Sequence, residues 1–238
     1  MQATRFSSFA AGARDTLPMM IGAAPFGMIF GTLAGAGPLA AWQGQMMSMS
    51  VFAGSSQFIG IGLIAGHAGM LVIWFTTFIV NLRHMLYAAA LLPQVARLPA
   101  HWRWTLGFLM TDETFAVMNG YYSKHPGAPL GHWYFLGSGL GMYLNWQFWT
   151  LVGLLFGTAF PQLQSLGLDY AMVATFIAIV VPQLNRMPHF GAALAAGISA
   201  WLLRGMPYKL GLMSAVLIGV ATGMALLHRA RMAQGSEA

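Results

Sequence analysis

Apolar residues run through this chain in long blocks, with polar residues confined to short gaps and to a few isolated positions inside the blocks. Most blocks approach the ~20 residues that carry a helix across a bilayer. The pattern therefore predicts an all-α membrane protein, a polytopic bundle of seven or eight transmembrane helices. The expected spans are 17–36, 43–65, 68–92, 104–121, 133–160, 170–184, 190–203 and 208–227. The sixth and seventh hold only about 15 residues each, so they read as tilted crossings or as one re-entrant hairpin. Asp15-Thr16-Leu17-Pro18 has the form of a helix start, with a capping side chain and Pro early in the first turn. That leaves 1–16 as an N-terminal cytoplasmic lead, 17–228 as a single transmembrane domain and 229–238 as a C-terminal tail.

Some blocks are interrupted, and the interruptions predict discontinuous helices. Pro25-Phe26-Gly27 lies in the first span, Gly54-Ser55-Ser56-Gln57 in the second, and Pro182-Gln183 at the end of the sixth. Gly27-Met28-Ile29-Phe30-Gly31-Thr32 recurs as Gly153-Leu154-Leu155-Phe156-Gly157-Thr158, and the same offset takes Gln57 to Gln183. The two matches in register suggest an internal duplication, with halves at 17–122 and 133–228. Broken helices at corresponding places in two repeats point to a substrate site near the bilayer midplane. An even number of spans per repeat makes the halves parallel, an odd number inverted, and the pattern leaves both open.

Composition agrees with a lipid setting. Hydrophobic residues make up 58% of the chain and charged residues 7%, against about 25% charged in a soluble domain. The net charge of +6 comes from bases scattered one or two to a loop, with no run or stripe for nucleic acid. With eight spans and a cytoplasmic N-terminus, Arg5, Arg14, Lys124, Arg186, Arg229 and Arg231 fall inside, and Arg97, Arg103, Arg204 and Lys209 outside. That is a slight positive-inside bias. The chain has no Cys, which excludes disulfides and thiolate chemistry. Its N-terminal stretch lacks the apolar run and cleavage site of a signal peptide.

The few charges inside the blocks carry the candidate chemistry. Arg at the centre of a membrane helix costs about 2.5–3.5 kcal/mol on insertion scales, so Arg83 needs a partner. On an ideal helix Asn81, Arg83, His84 and Tyr87 share one face, an arc of about 160°. Asp112 and Glu113 are the acids available inside a span, and either can answer Arg83 across the third and fourth spans. Their bland reading is a buried pair that fixes helix register. The functional reading is substrate or proton handling, with His84 the natural proton-linked group. Gly54, Ser55, Ser56 and Gln57 read either as helix packing or as a break whose amides meet a polar ligand. Pro25, Phe26 and Gly27 read in the same way, as a kink exposing amide donors. The Trp residues at 102, 104, 133, 146 and 149 read as interfacial anchors or packing.

Pro25-Phe26-Gly27, Val51-Phe52-Ala53-Gly54-Ser55-Ser56-Gln57-Phe58, Asn81-Leu82-Arg83-His84-Met85-Leu86-Tyr87 and Thr111-Asp112-Glu113 together resemble the AzlC-type branched-chain amino acid permeases. These are large subunits of bacterial two-component exporters. The resemblance implies a bacterial inner-membrane secondary transporter that exports Leu, Ile or Val, sometimes with Met. It also implies a small AzlD-type membrane partner. No Gly-rich phosphate loop marks ATP hydrolysis and no H-E-x-x-H marks a metal site, so the expectation is no enzyme, no cofactor and no metal, with proton coupling as the default. Two other readings stand beside it: a structural or assembly subunit, and a membrane-embedded hydrolase using His84 with Asp112 or Glu113.

Overall fold

The computed structural model describes residues 4–37, 39–156, 184–206 and 210–235, with Ile177 and Val181. Helices form the described residues throughout, with no strand among them. The chain divides into two compact units, Met1–Thr175 and Phe176–Ala238. Pro182, Gln183, the expected sixth span and the end of the second motif copy lie outside the described residues.

The first unit is built on two long helices, α1 (Arg5–Ala36) and α8 (Gly131–Phe156). α1 begins well before the predicted start at Asp15. Thr4 caps it, accepting from the amide of Ser7 at 3.1 Å while Ser7 Oγ accepts from the amide of Thr4 at 2.8 Å. The stretch expected as a separate lead is therefore the first turns of the same helix. α1 also runs unbroken through Pro18 and Pro25, contrary to the predicted interruption. Each proline removes a single backbone bond, and close packing on α8 along its length holds the helix.

That packing runs through small residues. A Cβ on Gly31 would fall on the carbonyl of Thr150, and one on Gly153 on the carbonyl of Met28. Gly12 and Gly137 make equally close approaches to Tyr134 and Phe9. Thr16 donates to Ser138 at 2.7 Å, and Asn145 to the carbonyl of Met20 at 3.0 Å. Residue numbers rise together on both helices, so α1 and α8 are parallel. The first motif copy, Gly27 to Thr32, and the described part of the second meet across this contact.

Between them, α2 (Ala41–Val51) and α3 (Gly54–Ala65) form a hairpin. α2 descends α8 from its C-terminal end: Gly44 lies by Leu154, Gln45 bonds Gln147, and Tyr143 bonds the carbonyl of Met49. The chain turns at Phe52, in the left-handed region at φ 34°, and Ala53, which is extended. α3 then climbs back, so that Gly60 faces Met47 and Phe58 meets Phe30 edge-on at 6.0 Å. The second predicted span thus folds back on itself, and Gly54 opens a helix where the pattern placed it mid-span.

α4 (Met70–Asn81) runs antiparallel to α3, with Thr77 near Gly60 and Ser56 bonded to Asn81. One tight turn at Leu82, whose amide donates to the carbonyl of Ile79 at 3.2 Å, leads into α5 (Arg83–Val95). Together these 26 residues lie against α3 and α7, and they and α1 are long and apolar enough to cross a membrane. Leu71, Trp74, Phe78 and Met85 on this segment are exposed, as a lipid-facing surface requires.

α6 (Ala100–Phe108) and α7 (Asp112–Lys124) make the second hairpin, entering from the other end. Trp102 packs on Trp133 and His132 at the start of α8, and Tyr121 stacks on Tyr134 at 3.9 Å. Both outer ends therefore sit where α8 begins. The turn at Leu109–Thr111 reaches Gly139, within α8. The fourth predicted span is thus also a hairpin, not one continuous helix. Arms of 9 to 13 residues are about 13–20 Å long at 1.5 Å per residue, roughly half a hydrocarbon core each.

In the second unit α9 (Met187–Leu202) and α10 (Leu210–Gly235) pack antiparallel, with Gly219 on Ala196 and Gly223 on Ala192. α10 runs past the predicted end of the last span into the basic tail.

Candidate functional site

The two hairpin turns meet inside the first unit. The rings of Phe52 and Phe108 lie 6.3 Å apart, and Tyr143 of α8 touches both, at 4.8 and 5.8 Å. Beside them is the joint between α4 and α5. The pattern placed Asn81, Arg83, His84 and Tyr87 on one polar face, and three of the four tie the hairpins to this joint.

Arg83 Nη1 sits 2.7 Å from Asp112 Oδ2, and Nη2 donates to Ser55 Oγ at 2.6 Å. Tyr87 donates to the other Asp112 oxygen at 2.6 Å and stacks on Phe115 at 4.5 Å. Ser56 donates to Asn81 Oδ1 at 2.6 Å. The arginine is thus answered by Asp112, and one side chain bridges both hairpins. Charge-assisted bonds of this length are the strong ones.

His84 forms an ion pair with neither acid. Its Nδ1 lies 3.1 Å from the carbonyl of Asn81, and its ring meets Tyr87 edge-on at 5.7 Å. Glu113 follows Asp112 in the first turn of α7 and joins no ion pair among the described residues. Both acids stand at a helix N-terminus, where the dipole favours negative charge, and not in the middle of a continuous span. Thr111 is the cap, accepting from the amide of Thr114 at 3.3 Å.

The first-span triplet is placed differently from its prediction. Phe26 is buried in a core cluster with Phe30, Phe52, Ile61, Met142 and Trp146. Gly27 faces α8, where a Cβ would lie 3.0 Å from the Trp149 Cβ. Pro25 stays within the continuous helix. No break there frees amides for a ligand.

Gln57 is fully buried, and neither atom of its amide has a hydrogen-bond partner. Trp146 Nε1 and Arg83 Nε are also buried and unpaired. Trp146 lies against the start of α3, where a Cβ on Gly54 would be 3.0 Å from its Cη2. Trp146, Tyr143, Phe52 and Phe108 did not stand out as site residues in the sequence. The hydrophobic pattern treats them as packing, which they also are. Among the described residues no group of three or more His, Asp and Glu is placed to hold a metal.

The AzlC protein family model matches residues 18–160. An uncharacterized membrane protein of Helicobacter pylori is 30% identical over 174 residues, covering 72% of this chain and 73% of the relative. The branched-chain amino acid transport protein AzlC of Bacillus subtilis is 27% identical over 195 residues, covering 82% and 75%. The inner membrane protein YgaZ of Escherichia coli is 24% identical over 227 residues, covering 91% and 88%. No solved structure matches.

Proposed function

This chain belongs to the AzlC protein family of membrane transport proteins, and on that premise we propose that it exports branched-chain amino acids from the cytoplasm. Leu, Ile and Val are the substrates, with Met as a further one. A small AzlD-type membrane subunit works with it in a bacterial inner membrane, and a proton gradient drives the movement. The transport name of the Bacillus subtilis relative supports the substrate class. The observation that carries the reading is the polar centre formed where two half-length hairpins meet, joined by Arg83. Irregular backbone at membrane depth is tolerated where it is enclosed by protein and lines a path.

In this reading α1, the α4–α5 segment and α8 cross the bilayer, and the hairpins dip in from opposite faces. Arg5, Arg14, Arg97, Arg103 and Lys124 then gather at the face where α1 and α8 begin. The opposite turns, 37–40 and 66–69, hold neither Lys nor Arg. Positive residues mark the cytoplasmic side, so this face is inside and the N-terminus is cytoplasmic. Arg97 and Arg103, expected outside when each hairpin was counted as a crossing, move inside. Within the first half lies a unit of one crossing plus one hairpin, seen in α1 with α2–α3 and, in opposite orientation, in α4–α5 with α6–α7. Ser55 and Asp112, the two Arg83 partners, hold equivalent places in it.

Reconstitution tests the function. Proteoliposomes with this chain and its partner, preloaded with radiolabelled amino acids, release Leu, Ile and Val faster than Glu or Lys, and faster under an inward proton gradient. Equal release of all amino acids, or release unchanged when the protein is omitted, sinks the proposal. Release that needs no partner removes the two-subunit part alone.

A further inference from the structure

We infer that the N-terminus of α3, together with Gln57, Trp146 and the Nε of Arg83, is the subsite that receives the carboxylate of the transported amino acid. The inference rests on the proposed transport of amino acids. It adds which group of the substrate is read, and by which atoms.

The two hairpins present their second helices differently. α7 is capped by Thr111 and carries Asp112 and Glu113 in its first turn, so its dipole is already met by negative charge. α3 begins after Ala53, which has no side chain to cap it, and its first turn holds no acid. The first amides of a helix have no partner within the helix, and their dipole attracts an anion. An uncapped helix start alone makes no site. Here it coincides with a second observation.

Gln57 is fully buried and both its amide atoms lack partners. A helical side chain leans back over the turn before it, so Gln57 extends toward Ala53 and Gly54. The six-membered ring of Trp146 packs on Gly54, and its indole N–H is also buried and unpaired. Arg83 donates to Ser55 one residue further on, and its Nε is the third unpaired donor. Buried polar atoms without partners are rare in folded proteins, and each calls for a reason. Three of these four atoms are donors, on side chains that belong to or touch the first turns of α3, and that helix start holds no acid. A carboxylate supplies the acceptors they lack. The rings of Phe52, Phe108 and Tyr143 pack on one another where the turn before α3 meets the end of α6.

The test uses the purified full chain in lipid nanodiscs, with leucine, leucinol and 4-methylpentanoate as probes in thermal-shift and calorimetric titrations. Leucinol keeps the ammonium and lacks the carboxylate; 4-methylpentanoate does the reverse. Leucine and 4-methylpentanoate are expected to bind and leucinol is not. Gln57→Met is expected to melt higher than the parent when empty, since two unpaired atoms are gone, yet to bind leucine about tenfold or more weakly. Gln57→Glu is expected to abolish binding. Trp146→Phe, which removes the indole donor and leaves a smaller ring, gives a second reading if either Gln57 variant fails to fold. Leucinol binding as tightly as leucine, a folded Gln57→Met that keeps the parent's affinity for leucine, or no carboxylate binding at all overturns the subsite. Carboxylate binding that depends on Gln57 but shows no preference for branched chains keeps the subsite and overturns the proposed substrate.

Discussion

The contact between Arg83 and Asp112 gives a prediction whose size follows from its surroundings. The pair is 2.7 Å apart, with side chains 24% and 10% exposed. Arg83→Met removes the cation and its bond to Ser55, leaving the Asp112 carboxylate with the Tyr87 hydroxyl alone. Removing one partner of a buried ion pair costs about 3–5 kcal/mol, because the other charge is left uncompensated. Asp112→Leu strands the guanidinium in the same way. The double variant has no stranded charge, and replacing a buried pair by apolar groups is often close to neutral. The two singles should therefore sum to about 6–10 kcal/mol against a near-neutral double, a coupling well above the roughly 0.5–3 kcal/mol usual for residues in contact. Denaturation in mixed micelles, followed by Trp fluorescence, measures all four corners. Glu113→Gln with Arg83→Met is the parallel cycle and should show much the weaker coupling, since Glu113 makes no ion pair with the arginine. Additivity in the Asp112 cycle, or coupling to Glu113 in its place, would refute the assignment of the pair.

Two further outcomes test the fold. The chain has no Cys, so a single Cys at any position is a unique label. Cys at Arg103 and Ser123 should react with impermeant maleimide only from the cytoplasmic face, and Cys at His67 only from the outer face; labelling at Arg103 from outside would mean that the hairpins cross. Gly31→Ala forces a methyl onto the Thr150 carbonyl and should destabilise by about 1–3 kcal/mol. Gly107→Ala meets nothing within 4 Å and should be neutral or stabilise by about 0.5–1 kcal/mol in a melting assay.

The positions of the helices were legible in the run lengths, and the need of Arg83 for an acid followed from desolvation alone. The hairpins were not legible, for a simple reason. Two apolar arms of about 16 Å and 18 Å have the summed length of one crossing, and hydropathy records length without direction. A clue was present at Thr111-Asp112-Glu113, a capping residue followed by acids, which is how a helix begins. The first hairpin lacks such a signature: Phe52 turns the chain in a conformation that sequence rules reserve for Gly. Pro25 misled in the opposite sense. Lipid and neighbouring helices tolerate a proline in a long helix, and α1 has a 26-residue partner against which to stay straight. Gly31 and Gly153, one from each copy of the repeated Gly-x-x-x-Gly motif, permit the close approach of α1 to α8.

The unequal capping of α3 and α7 leads to one last prediction. Ala53 precedes α3 with φ −143° and ψ 98°, the extended conformation that a capping residue adopts. Ala53→Ser should let a hydroxyl accept from the first-turn amides, as Thr111 does on α7. A new cap of this kind is worth about 0.5–2 kcal/mol, so the variant should melt higher than the parent. If those amides serve the helix alone, transport should be unchanged or improved by a firmer hairpin. If they serve a carboxylate, the hydroxyl competes for the same donors, and the more stable protein should bind and release leucine more poorly. Gain of stability with loss of binding separates the two, because a structural role has no means of producing that combination. A variant that is both firmer and fully active would show that the bare start of α3 is an accident of packing.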